Sequence, residues 1–321
     1  MVESKSWVEL AIKILKCNQK ELAQKLGVSP TQITKWKNGE FMSNEINKKF
    51  RTITTLKEFV YPEDVLLVGS IENEKKWRTL INYIAEYSLE ENETGMSCGY
   101  LEDPDDWSLS HRTLQTLKEI GIKFPSSFPK ELEVLNTKSF KNSDNFFDND
   151  YVSTILKIFL SLQNIVGFFE AYIAEDFWNL AVKDIDTPLA DMGDDFEYCL
   201  FELATTKIDI TKSIAPIFNE FKFKWIKQYE VWIDRLKSEL FNKGISIKVE
   251  LSYLVKNSDE EIGLKAEEYS LGFNQAFKIH PDVYMNELLS GMRAIHYILP
   301  KILKKLDIKI DQSELQAAIN D

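Results

Sequence analysis

The stretch Gln19–Gly39 (QKELAQKLGVSPTQITKWKNG) constrains the fold more than any other part of this chain. Leu22, Ala23 and Leu26 recur at helical spacing, which predicts a helix over Gln19–Leu26 with one apolar face. Gly27 follows, where a helix end needs a residue free to take positive φ. Val28 reads as an apolar plug, Ser29 as an N-cap, and Pro30 as a first-turn proline of the next helix. That helix runs to Lys37, with Ile33 and Trp36 spaced for a core, and Asn38-Gly39 ends it. Upstream, Ser6–Lys16 places Trp7, Leu10, Ala11, Ile14 and Leu15 on one further helical face. The reading is three short helices with a tight turn between the second and third.

This segment resembles the helix-turn-helix of the Cro/phage-repressor (XRE) family. Ala23 stands at the small residue that lets the two helices approach, and Gly27 at the turn glycine. Val28, Ile33 and Trp36 match the core positions, and Asn38-Gly39 the closing pair. The clear match covers roughly residues 16–40, or 5–60 with flanking helices. It departs at Lys37, where the family often has an acidic residue, and at Ile12–Leu15, where the first helix is often more basic. A fourth helix is only loosely recognisable in Ser43–Thr54.

The resemblance implies a double-stranded DNA partner, with the second helix's N-terminus against phosphate and the third helix in the major groove. Ser29, Thr31, Gln32 and, one turn on, Lys35 are then the base-contact candidates. Gln32 suits an adenine edge, and Thr31 a thymine methyl or a phosphate. Gln19, Lys37 and Asn38 are the phosphate-contact candidates, which fix register rather than read sequence. One such unit has a small footprint, so a homodimer on a palindromic operator is expected.

Charge supports the division of the chain. The protein has a net charge of -12, which taken whole argues against a polyanionic partner. Residues 1–57 nevertheless hold eleven Lys and Arg against five Asp and Glu, a net +6, and residues 58–321 carry the remaining -18. A basic end on an acidic body points to a nucleic-acid contact at that end.

The body reads as helical. Glycine (12) and proline (9) are sparse, which favours helices over turn-rich β architecture. Helices are expected over Glu74–Tyr87, His111–Ile120 (closed by Gly121), Tyr151–Val182, Phe196–Thr205, Ile210–Phe241, Asp282–Leu306 and Gln312–Ile319. Val65–Gly69 is either a strand or a helix start, and Ser88–Ser110 reads as loop. Ile214, Phe218, Phe221, Trp225, Tyr229, Trp232, Leu236 and Leu240 form one stripe, which serves either a core or a dimer seam. Ile245–Val255 alternates apolar and polar residues, the pattern of a half-buried strand. Its partner would be Lys207–Ile210, Ile308–Ile310 or the same strand of a second copy. The expected fold is therefore mainly α: a small N-terminal helix-turn-helix bundle, then a larger, mostly helical domain with a minor β element. The expected division is residues 1–60 for DNA, 61–150 as connection, with a boundary in the polar run Asn142–Asp150, and 151–321 for dimerisation or effector response.

No catalytic signature stands out. Phosphate-loop, dinucleotide, zinc-protease and serine-hydrolase motifs are all missing from the sequence. His111, His280 and His296 are scattered, and His296, between Ile295 and Tyr297, reads as a packed histidine. The acidic runs Glu102–Asp106, Asp144–Asp150 and Asp184–Asp195 lack an EF-hand's spacing and read as solvated loops, so no metal or cofactor is expected. Cys17, Cys98 and Cys199 form no CxxC, consistent with a reducing cytoplasm. The uncharged run Ile158–Phe169 is too short to span a bilayer, so no membrane partner is expected. The leading expectation is a dimeric transcriptional repressor whose body senses a small-molecule effector or a protein. The second is an antitoxin or phage-defence-type interaction protein whose DNA-binding end autoregulates its operon. An enzyme on a DNA-binding arm is the third.

Overall fold

The structure, a computed structural model, describes residues 4–92, 94–105, 108–136, 146–174, 199–242, 251–271 and 281–307. Among them there are helices and turns and no strand.

The first four helices are α1 (Ser4–Leu15), α2 (Gln19–Leu26), α3 (Pro30–Lys37) and α4 (Asn44–Thr54). α2 starts in a reciprocal capping box: the Asn18 side chain accepts from the Glu21 N–H at 3.0 Å, and the Glu21 carboxylate accepts from the Asn18 N–H at 2.9 Å. It ends at Gly27, whose φ of +69° is the left-handed conformation that an L side chain resists. Ser29 then caps α3, its hydroxyl accepting from the Gln32 N–H at 3.2 Å. These caps satisfy amide groups that a short helix otherwise leaves open. They fix the turn from sequence-local chemistry.

The four helices share one core. Trp7, Leu10 and Ala11 of α1 pack with Leu22, Ala23 and Leu26 of α2, Ile33 and Trp36 of α3, and Phe50 of α4. Phe50 is the keystone, with ring centroids 5.8 Å from Trp7 and 6.0 Å from Trp36. The buried Ser4 hydroxyl donates to the Trp36 carbonyl at 3.0 Å, which ties the start of α1 to the end of α3.

This core extends past Thr54. Leu56, Val60 and Val65 belong to it, and Val65 lies in α5 (Pro62–Val68). The segment Val65–Gly69 thus ends a helix, with Gly69 as its C-cap. Lys13 of α1 donates to the Gly69 carbonyl at 3.0 Å. Val68, one turn on from Val65, belongs to the second core, so α5 serves both.

That second core is the body. It is built by α6 (Ile71–Glu90), α7 (Gly99–Glu102), α8 (Leu109–Glu119), α9 (Asp150–Tyr172), the helical residues 199–205, α10 (Phe218–Asn242), α11 (Ser252–Lys256) and α12 (Asp259–Ser270). α9 runs through its centre. The twelve-residue apolar run is the middle of this 23-residue helix, which is long and apolar enough to cross a membrane by length and composition. Its residues are instead buried by neighbouring helices, with Ile155, Ile158, Phe159, Leu162, Phe168 and Phe169 fully enclosed. Its polar residues find partners: Ser161 donates to the Ala204 carbonyl at 2.9 Å and Gln163 to the Ser88 carbonyl at 2.6 Å. α12 packs closely on α9, and a Cβ at Gly263 would collide with the Asn164 side-chain amide.

Several sequence expectations change here. The aromatic stripe is core: Phe218, Phe221, Tyr229, Trp232 and Leu236 are buried in the body, with Ile214 and Trp225 packed against them. α10 begins at Phe218 rather than Ile210, because Pro216 disfavours helical geometry in the residue before it. Ser88–Ser110 is not all loop, since it holds the end of α6 and all of α7. The strand expected to end at Val255 is helical over Ser252–Lys256. Leu251, Leu254 and Val255 are buried together at helical spacing, and the adjacent pair Leu254-Val255 is where the alternation fails. Its proposed partner Lys207–Ile210 is turn and irregular backbone. His296 is exposed on α13 (Pro281–Lys305), not packed. Residues 245–250, 308–310, 312–319, 184–195 and 142–145, on which other expectations fell, lie outside the described residues.

Candidate nucleic-acid interface

The outer face of α3 is set by what its inner face does. Ile33 and Trp36 are buried, so the residues opposite them, Thr31, Thr34 and Lys35, point away from the core and are exposed. Gln32 lies on one flank of this face, half-buried, and Lys37 on the other, exposed. Ser29 is exposed at the N-terminal end and Asn38 at the C-terminal end. The structure therefore brings Ser29, Thr31, Gln32 and Lys35 onto neighbouring positions of one short helix. Lys37 and Asn38 stand apart at its far end, and half-buried Gln19 at the start of α2.

Each of these groups has local engagements that limit its chemistry. The Ser29 hydroxyl accepts from the Gln32 backbone amide and keeps its own proton to donate and one further lone pair. The Lys35 ammonium lies 3.5 Å from the Glu40 carboxylate, both well exposed. The Asn38 N–H closes α3 on the Thr34 and Lys35 carbonyls, leaving its side chain outside.

Thr34 was missed by the sequence reading, although the spacing of Ile33 and Trp36 places it on the outer face. Its hydroxyl donates to the Pro30 carbonyl at 3.2 Å, which turns its methyl outward. Glu40 and Phe41 were missed as well. Phe41 is 80% exposed in the loop after α3, and its carbonyl accepts from the Trp36 indole at 3.2 Å. Neither residue carries a sequence signal beyond adjacency to the Asn38-Gly39 stop.

The electrostatic setting is basic. Lys20, Lys25, Lys35, Lys37, Lys48 and Lys49 are all exposed on this unit. Two carboxylates share this unit's α2–α3 region, Glu21, held in the capping box, and Glu40, 3.5 Å from Lys35. Among the described residues no group of three His, Cys, Asp or Glu is placed to hold a metal ion.

Residues 10–44 match the helix-turn-helix family model. No curated protein and no solved structure matches the chain. The matched residues take in the end of α1, all of α2 and α3, and the first residue of α4, so the N-terminal unit is a helix-turn-helix DNA-binding domain of XRE type.

Proposed function

We propose that this chain is a sequence-specific transcriptional repressor that binds a palindromic operator as a homodimer. α3 enters the major groove, with Thr31, Gln32 and Lys35 at base edges and Ser29 at the groove's edge. Gln19, Lys37 and Asn38 hold flanking phosphates. The observation that carries this reading is the exposed outer face of α3, held by the Ser29 cap on a core of its own. A pre-organised helix loses little entropy on docking.

The body has a different task. Its net charge of -18 over residues 58–321 repels the phosphate backbone, so contact is confined to the basic unit. We assign it the sensing of an effector or protein and no catalysis. Selection of preferred sequences from a random duplex pool tests the reading. The expected result is an inverted repeat whose affinity falls steeply as salt rises. A purified chain with no preferred sequence at moderate salt would overturn it.

A further inference from the structure

One helix of the body leaves its apolar face uncovered. Leu288, Met292, Ile295, Leu299, Ile302 and, just past the end of α13, Leu306 follow one another at alternating spacings of four and three. That is the 3.5-residue period of a helix–helix seam. All six side chains are exposed, Ile295 by 60% and Leu306 by 62%, and no described residue from 288 to 307 is buried. Pro300 falls next to the seam and not in it. The charges of the helix are sorted by half. Asp282 and Glu287 lie in its first half, Arg293 at its midpoint, and Lys301, Lys304 and Lys305 in its second.

We propose that α13 pairs antiparallel with α13 of a second copy of this chain and thereby forms the dimer. The proposal rests on the DNA-binding reading for its purpose, since two reading helices need a fixed spacing, but not for its physics. A seam at strict four–three spacing fits a like seam. The charge polarity selects the orientation. Antiparallel pairing lays the acidic half of each copy along the basic half of the other, and it sets the helix dipoles head to tail. Parallel pairing would place like charges together along the whole length. The antiparallel pair also has a twofold axis across its middle, the symmetry of an inverted repeat. An anionic bilayer is a poorer fit, because it favours cations along the whole polar face, and here they are gathered at one end.

Sedimentation equilibrium of the full chain at tens of micromolar tests this. The wild-type chain is expected to be a dimer. Ile295→Asp should raise the dissociation constant at least a hundredfold, with an unchanged circular dichroism spectrum, because the side chain is exposed in the single chain. Lys304→Glu with Lys305→Glu should weaken the dimer about tenfold, whereas a parallel pair, in which like charges face each other before and after the change, would not be weakened. A monomeric wild type, an Ile295→Asp variant that still dimerises, or a charge variant that dimerises as tightly as the wild type overturns the proposal. So does a wild-type monomer that co-sediments with phosphatidylserine vesicles, which would assign the face to a membrane. A wild-type dimer that Ile295→Asp dissociates, but that prefers no DNA sequence, would remove the DNA reading and leave the pairing intact.

Discussion

The His111 Nδ1–H donates to the Asp64 carboxylate at 2.9 Å, and this contact joins the two cores of the molecule. Asp64 sits on α5, next to Val65 of the first core, and His111 on α8 of the body. Gln115 donates to the same carboxylate at 2.6 Å. Tyr61 stacks on the imidazole at 4.0 Å and meets the Ser108 hydroxyl at 2.7 Å. Asp64 is only 2% exposed, and burial pushes its carboxyl above the usual range, against the opposing pull of His111 and Gln115. The junction therefore adds a directional polar contact to the apolar packing of Val65 and Val68 on the two cores.

Removing one donor tests its weight. His111→Ala leaves a buried carboxylate with Gln115 as its remaining side-chain donor, and should cost about 2 kcal/mol of stability. Asp64→Asn keeps an acceptor for both neighbours and should cost less. Urea unfolding compares the two. Limited proteolysis should show earlier cleavage near residues 55–62 in His111→Ala alone.

At Gly27 the prediction is purely conformational. A Cβ there meets nothing within 4 Å, so Gly27→Ala introduces no clash. Its φ of +69° is still unfavourable for alanine, and about 1 kcal/mol of stability should be lost. Thermal melts of wild type and variant measure it.

The N-terminal unit was legible because its signals are local. Caps, the turn glycine and the pair Ile33–Trp36 each act within a few residues, and α2 and α3 run where the sequence placed them. The body was less so. Ile214 to Leu236 carry the same periodicity whether they face a core or a second copy, and only the burial of Phe218, Phe221, Tyr229, Trp232 and Leu236 in the folded body decides that they are core. The 251–255 segment fits both periods, since Leu251 and Val255 are two strand steps or one helical turn apart. Asp64 with His111 links positions 47 residues apart, and no local pattern reports that. On the outer face of α3, the position of Thr34 was readable from its neighbours, whereas the Glu40 contact with Lys35 depends on how the loop folds back.

Glu202 makes stability depend on pH. Burial raises its carboxyl to about 7, while Arg112 at 3.8 Å pulls the other way. One of its oxygens, Oε2, is buried with no hydrogen-bond partner. The folded state then holds a proton that the unfolded state releases above the ordinary value of 4.5. Stability should fall as pH rises from about 4.5 to about 7 and level off above that. Glu202→Gln should remove that fall and raise stability at pH 8 by up to about 3 kcal/mol. Urea midpoints at pH 5 and pH 8 check both the sign and the variant.

Glu40 should act as a brake on DNA binding. Its carboxylate lies 3.5 Å from the Lys35 ammonium and stands beside the face proposed to meet a polyanion. Glu40→Gln frees Lys35 and removes a repulsive charge. Because the pair is exposed, its effect on stability should be near zero. Affinity for duplex DNA should rise several-fold at low salt, and the gain should shrink as salt rises. Fluorescence anisotropy at two salt concentrations measures it, and an unchanged affinity would place Glu40 away from the duplex.

Gln32 and Lys37 flank α3 on opposite sides, and their substitutions should separate reading from holding. Gln32→Ala removes a side-chain amide suited to an adenine edge. It should lower affinity for the preferred site by about 1–3 kcal/mol and relax base preference at one position in each half-site. Lys37→Ala removes a charge that the proposed docking places on phosphate. It should weaken preferred and random duplexes by the same factor and lower the salt slope by about one ion per subunit. Binding curves for both variants on a panel of single-base changes distinguish the roles. If Lys37→Ala were instead the variant that relaxes base preference, α3 would lie in the groove rolled toward its Lys37 flank. Thr34, on that side of the outer face, would then replace Gln32 at the bases.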